Sequence, residues 1–257
     1  MTAEERINKA FSNAAEEYEA NAIVQRQMAI RLASLLAEGL EIDTAFEFGT
    51  GTGLLTKQID SRCKVKHWLL NDLSDNMLRT VPALSGEVTF LQGDVVTASK
   101  GGQIGHPQLI ASSAALQWIA EPFALLEQLT ARLQPNGHLL IGTFEKGNLA
   151  ELATLTGNSL PYFSKEDLEH FAKAAHLHIQ FIESESITLS FPSPKEVLMH
   201  LKKTGTTQLP HWNNETPRLN TRSALSELDR SYRRYFSSAD GSAVLLSYTP
   251  LYLYATK

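Results

Sequence analysis

One acid and three glycines recur at every second position in the stretch FEFGTGTGLL at residues 46–55, as Glu47, Gly49, Gly51 and Gly53. Glycine loses more conformational freedom on folding than any other residue, so three of them this close together need a physical reason. A left-handed turn, or a backbone that a ligand must approach closely, supplies one. The dinucleotide spacing G-x-G-x-x-G and the P-loop pattern are both absent from the stretch. The loop therefore predicts a ligand site of another kind.

Two further acids, Asp72 and Asp94, each follow one of the next two predicted strands. In open α/β sheets, ligands bind at the carboxyl ends of the strands, so these acids and the glycine loop are expected at one edge of the sheet. An acid in the position of Asp72 can accept hydrogen bonds from both hydroxyls of a ribose. Either acid alone also suits a turn or a helix cap, which Asp favours. The ordered series of glycines and acids favours a ligand site over that structural alternative.

Alternating strands and helices are predicted to position these residues, and the alternation indicates an α/β fold with a mostly parallel sheet and helices on both faces. The stretch between the last two strands, 192–243, is too long for a plain loop and is predicted to form a helical insertion over the edge or top of the sheet. Hydrophobic periodicity places helices at 22–38, 54–61, 74–81, 122–133 and 165–176, and seven strands at 43–48, 65–71, 88–92, 108–113, 138–144, 179–191 and 244–256.

Composition excludes several classes of protein. A net charge of −5 over 257 residues argues against a general nucleic-acid binder. The single cysteine, Cys63, excludes an intramolecular disulfide and a cysteine-cluster zinc site, and it fits a reducing cytosol. The acidic start of the chain is no signal peptide, and no apolar run is long enough to span a membrane, so a cytoplasmic protein is expected. The eight histidines form no metal-binding pair, so no metal is expected.

The glycine loop and the two acids resemble motif I and the following motifs of the class I S-adenosylmethionine-dependent methyltransferases, over roughly residues 43–145. This resemblance implies a Rossmann-like fold with S-adenosylmethionine as the co-substrate. It places the ribose on Asp72 and the adenine amino group on Asp94. The cofactor-binding residues that it implies are Glu47, Gly49, Thr50, Gly51, Gly53, Asp72, Leu73, Met77, Asp94 and Val95.

Four longer segments resemble a narrower set of proteins, the biotin-pathway malonyl-acyl-carrier-protein O-methyltransferases. They are INKAFSNAAEEYEANAIVQRQMA (7–29), LIASSAALQWI (109–119), LMHLKKTGTTQL (198–209) and LNTRSAL (219–225). One departure is Gln108, where the wider family usually has Asp. The resemblance implies methylation of the free carboxylate of malonyl-acyl carrier protein, giving the methyl ester that starts pimeloyl synthesis in biotin biosynthesis. Such a carboxylate is ionised at pH 7, so no catalytic acid or base is expected.

The substrate carboxylate needs a partner, and the candidates are Tyr18, Lys202 and Arg222, with Gln117 and Trp118 as the pocket wall. Arginine binds carboxylates in a bidentate manner, which favours Arg222. Structural alternatives exist for three of the five. Tyr18 can pack the N-terminal helix, Trp118 can belong to the core, and Lys202 can lie on a solvated helix face.

The chain is predicted to be one methyltransferase domain, 1–257, with an N-terminal helical lid at 1–40 that carries Tyr18 and Gln25. The insertion 192–243 is predicted to recognise the substrate. Residues 195–234 hold eight Lys and Arg against four Asp and Glu, a net charge of +4, which leaves −9 for the remainder. Acyl carrier proteins are acidic, so a segregated basic surface suits docking, although a solvated helix face is the alternative. The predicted docking residues are Lys195, Lys202, Lys203, Arg230, Arg233 and Arg234.

Two other functions remain open at this stage. One is a methyltransferase for another small carboxylic acid, such as an aconitate-like carboxylate, although the basic insertion favours a protein-borne substrate. The other is a protein that binds S-adenosylmethionine without catalysis. The intact glycine loop and Asp72 argue against that second alternative.

Overall fold

Strands and helices alternate along the computed structural model, which describes residues 3–206 and 222–257. Within these ranges the strands are β1 (Glu41–Phe48), β2 (Lys64–Asp72), β3 (Glu87–Gln92), β4 (Leu109–Ser113), β5 (His138–Phe144), β6 (His178–Ser184), β7 (Ile187–Phe191), β8 (Val244–Tyr248) and β9 (Pro250–Thr256). The helices are α1 (Ala3–Asn21), α2 (Ile23–Ser34), α3 (Leu54–Arg62), α4 (Asp75–Leu78), α5 (Val95–Lys100), α6 (Pro122–Arg132), α7 (Ala150–Thr156), α8 (Lys165–Ala174), α9 (Pro194–Lys203) and α10 (Arg222–Phe236).

Seven of the strands form one sheet in the order β3-β2-β1-β4-β5-β9-β6. The pairs β1–β2, β1–β4, β2–β3 and β4–β5 are parallel, whereas β9 is antiparallel to both of its neighbours. The strand order reverses between β1 and β4, and such a switch point opens a crevice at the carboxyl ends of the strands. The predicted Rossmann-like, mostly parallel sheet of seven strands is confirmed.

The core lies in two layers, one on each face of the sheet. Successive side chains of a strand point to opposite faces. On β5, Leu139 and Ile141 therefore pack with α6 and α8, whereas Leu140 packs on the other face with α2 and α3. Burial on both faces explains why the central strands are apolar almost throughout. It also fixes their register, which brings the ends of β1, β2 and β4 to one edge.

The two long strands predicted at 179–191 and 244–256 are each broken in two, so that prediction is wrong in detail. The first half of the earlier predicted strand, β6, and the second half of the later one, β9, belong to the main sheet. The other halves, β7 and β8, form a separate antiparallel ribbon. Proline has no backbone N–H, and the second break falls where Pro250 opens β9. The break in the other predicted strand lies opposite, because the N–H of Glu185, between β6 and β7, donates to the Pro250 carbonyl at 3.0 Å. The ribbon thus turns away from the sheet at one shared bend.

The helical insertion predicted at 192–243 contains α9 and α10, and its residues 207–221 lie outside the described part of the chain. The helix predicted at 74–81 is shorter, since α4 spans only Asp75–Leu78. The short helices α5 and α7 were not predicted, because neither is long enough to show a helical period. None of the helices in the described ranges has the length and hydropathy needed to cross a bilayer.

Candidate active site

The glycine loop makes a tight left-handed turn between β1 and α3. Gly49, Gly51 and Gly53 have φ angles of 62°, 56° and 82°, which side chains disfavour. A Cβ at Gly49 would lie 2.3 Å from the Cβ of Ala115, so this glycine is also needed for space. At Gly51, no atom lies within 4 Å of the position that a Cβ would take. The backbone at Gly51 is therefore open to a ligand.

Asp72, at the end of β2, closes the loop. Its Oδ2 accepts a hydrogen bond from the Gly51 N–H, and its Oδ1 accepts one from the Ser74 N–H, both at 2.8 Å. Burial raises the pKa of Asp72, and these backbone hydrogen bonds oppose the rise. A carboxylate has about four acceptor positions, so Asp72 keeps capacity for ligand hydroxyls while it holds the loop.

A cavity of about 420 Å³, here called the large cavity, lies beside the loop at the ends of β1, β2 and β4. Its volume falls in the range of small-molecule sites, roughly 300–1,000 Å³. Seven of the ten predicted cofactor-binding residues line it: Gly49, Gly51, Asp72, Leu73, Met77, Asp94 and Val95.

Two of the remaining three, Glu47 and Thr50, line a small adjoining pocket of about 30 Å³ together with Tyr18 and Gln25. Gly53 lines neither space, and its φ angle serves the turn into α3.

Glu47 is a buried carboxyl group with one oxygen that lacks a hydrogen-bond partner. Its side chain is 1% exposed, and its Oε2 makes no hydrogen bond. Burial raises the pKa of Glu47 to about 8, against a smaller opposing effect of the Thr56 hydroxyl. The Oγ of Ser113, which lines both the large cavity and the small pocket, is also buried without a partner. An unpartnered buried carboxylate is costly, so this group suits a cationic ligand such as an ammonium.

Asp94 can serve both as a helix cap and as a ligand-binding residue. It is the N-cap of α5, where its Oδ2 accepts hydrogen bonds from the Thr97 N–H at 3.0 Å and the Thr97 hydroxyl at 3.1 Å. The same residue lines the large cavity. The cap fixes the side chain at the cavity wall and leaves its other oxygen for a ligand.

A second space, the polar cavity, adjoins the large cavity. Its volume is about 20 Å³, and the two share Phe11, Tyr18, Ala114 and Trp118 in their walls. Its polar lining consists of tyrosines, amides and threonines: Tyr18, Tyr162, Tyr248, Gln25, Gln117, Asn148, Thr204 and Thr206. No Asp, Glu, His, Lys or Arg from the described ranges lines it.

The tyrosine hydroxyls of the polar cavity are donors and not bases. Burial raises the pKa of Tyr162 to about 12, and it raises the pKa values of Tyr18 and Tyr248 as well. All three phenols are therefore protonated near neutral pH. The described lining of the cavity therefore offers hydrogen bonds to an anion but no group that removes a proton.

A third space, the outer cavity, continues from the polar cavity toward α9. It is also about 20 Å³, and it shares five lining residues with the polar cavity: Asn148, Leu149, Leu160, Tyr162 and Thr206. Leu198 and Leu201 of α9 form part of its mostly apolar wall. The three spaces form a series that leads from the glycine loop to the insertion.

Helix α1 lies against the large and the polar cavities, which both have Phe11 and Tyr18 in their walls. On the cofactor side, the hydroxyls of Ser12 and Ser74 are 2.7 Å apart. On the insertion side, the Phe11 ring lies against Gly205, where a Cβ would be 2.6 Å from the ring. The Phe11 ring also meets the Trp118 ring edge to face, with centroids 5.7 Å apart. The helix therefore covers the junction of the large and polar cavities.

The comparisons with known proteins agree on the family. A family model described as a methyltransferase domain matches residues 20–201. The malonyl-acyl-carrier-protein O-methyltransferase of Porphyromonas gingivalis is 37% identical over 256 residues, covering 98% of this chain and 95% of that protein. The protein of the same name from Bacteroides thetaiotaomicron is 35% identical over 259 residues, covering 98% and 97%. The chain belongs to this O-methyltransferase family.

Solved structures show the same fold at low sequence identity. A candidate methyltransferase from Bacillus halodurans has a TM-score of 0.62 at 13% identity, covering 89% of this chain and 98% of that one. An S-adenosylmethionine-dependent methyltransferase from Mesorhizobium loti has a TM-score of 0.50 at 15% identity, covering 88% and 96%. The fold is thus that of the S-adenosylmethionine-dependent methyltransferases.

The predicted substrate residues of this methyltransferase separate into two groups. Tyr18, Gln117 and Trp118 line the polar cavity together. The Gln117 amide donates to the Ala114 carbonyl at 2.8 Å, which fixes its position. Lys202 is exposed on α9 and lines none of the three spaces. Arg222 begins α10, and its side chain lies outside the described part of the structure.

Sequence reasoning missed several residues that line the polar cavity, chiefly Phe11, Asn148, Tyr162 and Tyr248. They come from four separate segments, and none stands in a recognisable spacing. Tyr248 belongs to β8, which pairs with β7 in the separate ribbon and not with the main sheet. A single aromatic residue in a β-strand pattern gives no sign of that placement.

The predicted docking residues lie on two packed helices, α9 and α10. Lys195, Lys202, Arg230, Arg233 and Arg234 are exposed. Lys203 is half-buried and pairs with Glu17 of α1 at 3.3 Å, and Arg233 pairs with Asp229 at 3.1 Å. Two apolar side chains, Met199 and Tyr235, are 39% and 62% exposed on the same helices. We use the name basic face for eight positions on these two helices: Lys195, Met199, Lys202, Lys203, Arg230, Arg233, Arg234 and Tyr235.

Proposed function

We propose that this methyltransferase transfers a methyl group from S-adenosylmethionine to the free carboxylate of malonyl-acyl carrier protein, as the names of its relatives suggest. The observation that carries the proposal is the polar cavity beside the cofactor cavity. Its described lining supplies protonated tyrosines and amides but no base. An acceptor with a proton to lose would need a base, whereas a carboxylate is already ionised at neutral pH.

The cofactor residues fit S-adenosylmethionine by the chemistry of their groups. The co-substrate supplies an electrophilic methyl group on a sulfonium. Asp72 and the open backbone at Gly51 suit the ribose, and Asp94 suits the adenine amino group. The unpartnered oxygen of Glu47 suits the ammonium of the methionine part. These residues bind and orient, and none of them exchanges a proton with the acceptor.

Neutral hydrogen-bond donors are well suited to hold a carboxylate nucleophile. A close ion pair would stabilise the ground-state anion strongly, which lowers its reactivity unless the transition state is stabilised equally. Tyrosine hydroxyls and amides fix the orientation of the carboxylate and stabilise its ground state less than a close ion pair would. The rate then comes from holding the reacting oxygen in line, where effective molarities reach about 10⁵ M or more.

We also propose that α1 is a lid. The polar and outer cavities are about 20 Å³ each, which is room for about one water molecule. A malonyl group on a pantetheine arm needs more space, so α1 must move to admit it and then close. Closure excludes water from the methyl group and the carboxylate. The contacts of Ser12 with Ser74 and of Phe11 with Gly205 are those that a closed lid makes.

The carrier protein is proposed to dock on the basic face. The outer cavity reaches α9, so an arm that enters there leads directly from the basic face to the polar cavity. Electrostatic complementarity with an acidic carrier protein would speed association and fix orientation. Met199 and Tyr235 add exposed apolar area among the charges, as interface centres commonly have.

A comparison of two carrier proteins tests the proposed acceptor. Malonyl-acyl carrier protein and acetyl-acyl carrier protein share the partner and the arm and differ in the carboxylate. With labelled S-adenosylmethionine, we expect label in the malonyl form alone. Equal labelling of both forms, or labelling of neither, would overturn the proposal.

A further inference from the structure

A buried histidine–tyrosine pair lies behind the polar cavity. His200 Nε2 and the Tyr248 hydroxyl oxygen are 2.9 Å apart, and the two side chains are 6% and 2% exposed. His200 belongs to α9 and Tyr248 to β8, so the hydrogen bond joins the insertion to the ribbon. The imidazole also packs on the Phe191 ring of β7, with ring centroids 5.1 Å apart. Tyr248 lines the polar cavity, whereas His200 does not.

The imidazole of His200 is neutral at the pH at which enzymes of this kind work, because burial lowers its pKa to about 4. A neutral imidazole has one N–H and one acceptor nitrogen. If Nε2 carries the proton, it donates to the Tyr248 oxygen and leaves the phenolic proton free. If Nε2 is the acceptor, the phenolic proton points at His200 and away from the cavity. Only the first arrangement lets Tyr248 donate into the polar cavity.

The surroundings of the Tyr248 hydroxyl keep it protonated, so that it has a proton to donate. The titratable groups around it are Tyr162, Tyr18, Tyr232 and Glu151. The Tyr232 hydroxyl is committed to the Leu245 carbonyl at 2.8 Å and so does not compete for it. Burial and the neighbouring acidic groups raise the pKa of Tyr248, which keeps its proton in place. A bound carboxylate would therefore meet a phenolic O–H and not a phenolate.

We infer that His200 is a positioning residue, whose Nε2–H holds the Tyr248 hydroxyl so that its proton is directed into the polar cavity as a donor to the acceptor carboxylate. This inference rests on the proposed function. His200 does not touch the acceptor itself. It sets the direction of the one hydrogen bond that Tyr248 can donate, and hydrogen bonds to charged groups are the stronger kind.

Four variants and one matched control test the inference. His200→Phe keeps a ring beside Phe191 and removes both nitrogens, and Tyr248→Phe removes the hydroxyl. His200→Gln retains an N–H near the position of Nε2. The control is His138→Phe, because His138 and Tyr254 form a similar pair at 3.1 Å between β5 and β9, away from the cavities. The fourth variant combines His200→Phe with Tyr248→Phe.

We expect His200→Phe and Tyr248→Phe each to lower kcat for malonyl-acyl carrier protein about ten- to a hundredfold, the loss of one hydrogen bond to a charged group. The double variant should be no slower than the slower single variant, since both changes remove the same interaction. His200→Gln should recover part of the rate, and His138→Phe should match the wild type. The dissociation constant for S-adenosylmethionine should stay unchanged in all of them.

Several results would overturn the inference. One is independent, multiplicative losses in the double variant, and another is equal rates for His200→Gln and His200→Phe. A third is an acidic limb in the wild-type kcat–pH profile that His200→Gln abolishes, because this would make His200 a base. If His200→Phe does not fold, as judged by its thermal unfolding, His200→Gln and Tyr248→Phe decide the matter. A wild type that transfers no methyl group refutes the proposed function, whereas an active wild type without the coupling refutes only this inference.

Discussion

Gly205→Ala is expected to open the lid. The new Cβ would lie 2.6 Å from Cε1 and 2.8 Å from Cδ1 of Phe11, well inside the ~3.5–4.0 Å at which carbon atoms attract. The ring must therefore leave its place by about 1 Å, which weakens its edge-to-face contact with Trp118. Such a contact contributes about 0.5–1.5 kcal/mol beyond burial. Together with the lost burial of the ring, a shift of about 1–2 kcal/mol against the closed lid lowers the ratio of closed to open molecules about five- to thirtyfold.

The assay for this prediction is kcat/KM for malonyl-acyl carrier protein, with the proteolysis rate of α1 as a direct readout of opening. We expect kcat/KM to fall by a factor that reaches at most about thirtyfold, by the same arithmetic, and cleavage within α1 to be faster. Gly241→Ala is the matched control. Its φ of +71° is close to the +74° of Gly205, so both variants carry similar backbone strain, but no atom lies within 4 Å of its Cβ. If Gly205→Ala and Gly241→Ala behave alike, the lid contact has no role.

Three further predictions concern the cofactor site and the basic face. Asp72→Asn should weaken S-adenosylmethionine binding about tenfold or more in calorimetry, because a charge-assisted acceptor of the ribose is lost. The unfolding free energies of Glu47→Gln and the wild type should be compared by urea titration without cofactor. Between about pH 5 and 8, the variant should gain about 1.4 kcal/mol over the wild type for each pH unit. The sign follows because a pKa raised to about 8 makes the folded state lose stability as the pH rises. Arg233→Glu combined with Arg234→Glu should raise KM for the carrier protein, and raising salt from about 0.05 M to 0.5 M should mimic it.

Each of these has an outcome that contradicts it. Unchanged cofactor affinity in Asp72→Asn would remove the ribose assignment. A stability difference between Glu47→Gln and the wild type that does not vary with pH would show that Glu47 is ionised in the empty site. For the basic face, Lys64→Glu combined with Lys66→Glu is the matched control, since these exposed lysines lie on β2 away from the insertion. Equal KM values for the two double variants would place the docking surface elsewhere.

The cofactor side of the site could be predicted from the sequence because its determinants are local. Left-handed glycines and strand-end acids such as Asp72 leave a fixed spacing, and the parallel sheet brings strand ends together whatever the details of packing. The residues on the acceptor side, by contrast, are not set by local sequence spacing. Tyr162 and Tyr248 reach the polar cavity from a loop and from β8, and the alternating pattern of 244–256 runs through the bend at Pro250 without a visible sign. The contact between Phe11 and Gly205 likewise depends on how the middle of α1 packs against the end of α9, a segment distant in the sequence.

The placement of the charges was also only partly predictable. Composition identifies a basic insertion, but it does not distinguish an exposed lysine from one that binds substrate. Lys202 is exposed, and Lys203 is half-buried against Glu17, although they are neighbours in the sequence. The orientation of α9 decides between them, and that orientation follows from the apolar face that buries Val197 and Leu201.

The mass of the carrier protein after reaction tests the proposed methyl transfer directly. Malonyl-acyl carrier protein is incubated with the enzyme and S-adenosylmethionine, and the acyl-pantetheine fragment is analysed by tandem mass spectrometry. We expect a mass gain of one methylene group, located on the terminal carboxyl group as a methyl ester. A methyl group elsewhere on the arm or on the carrier protein, or an unchanged mass while S-adenosylmethionine still binds, would contradict it.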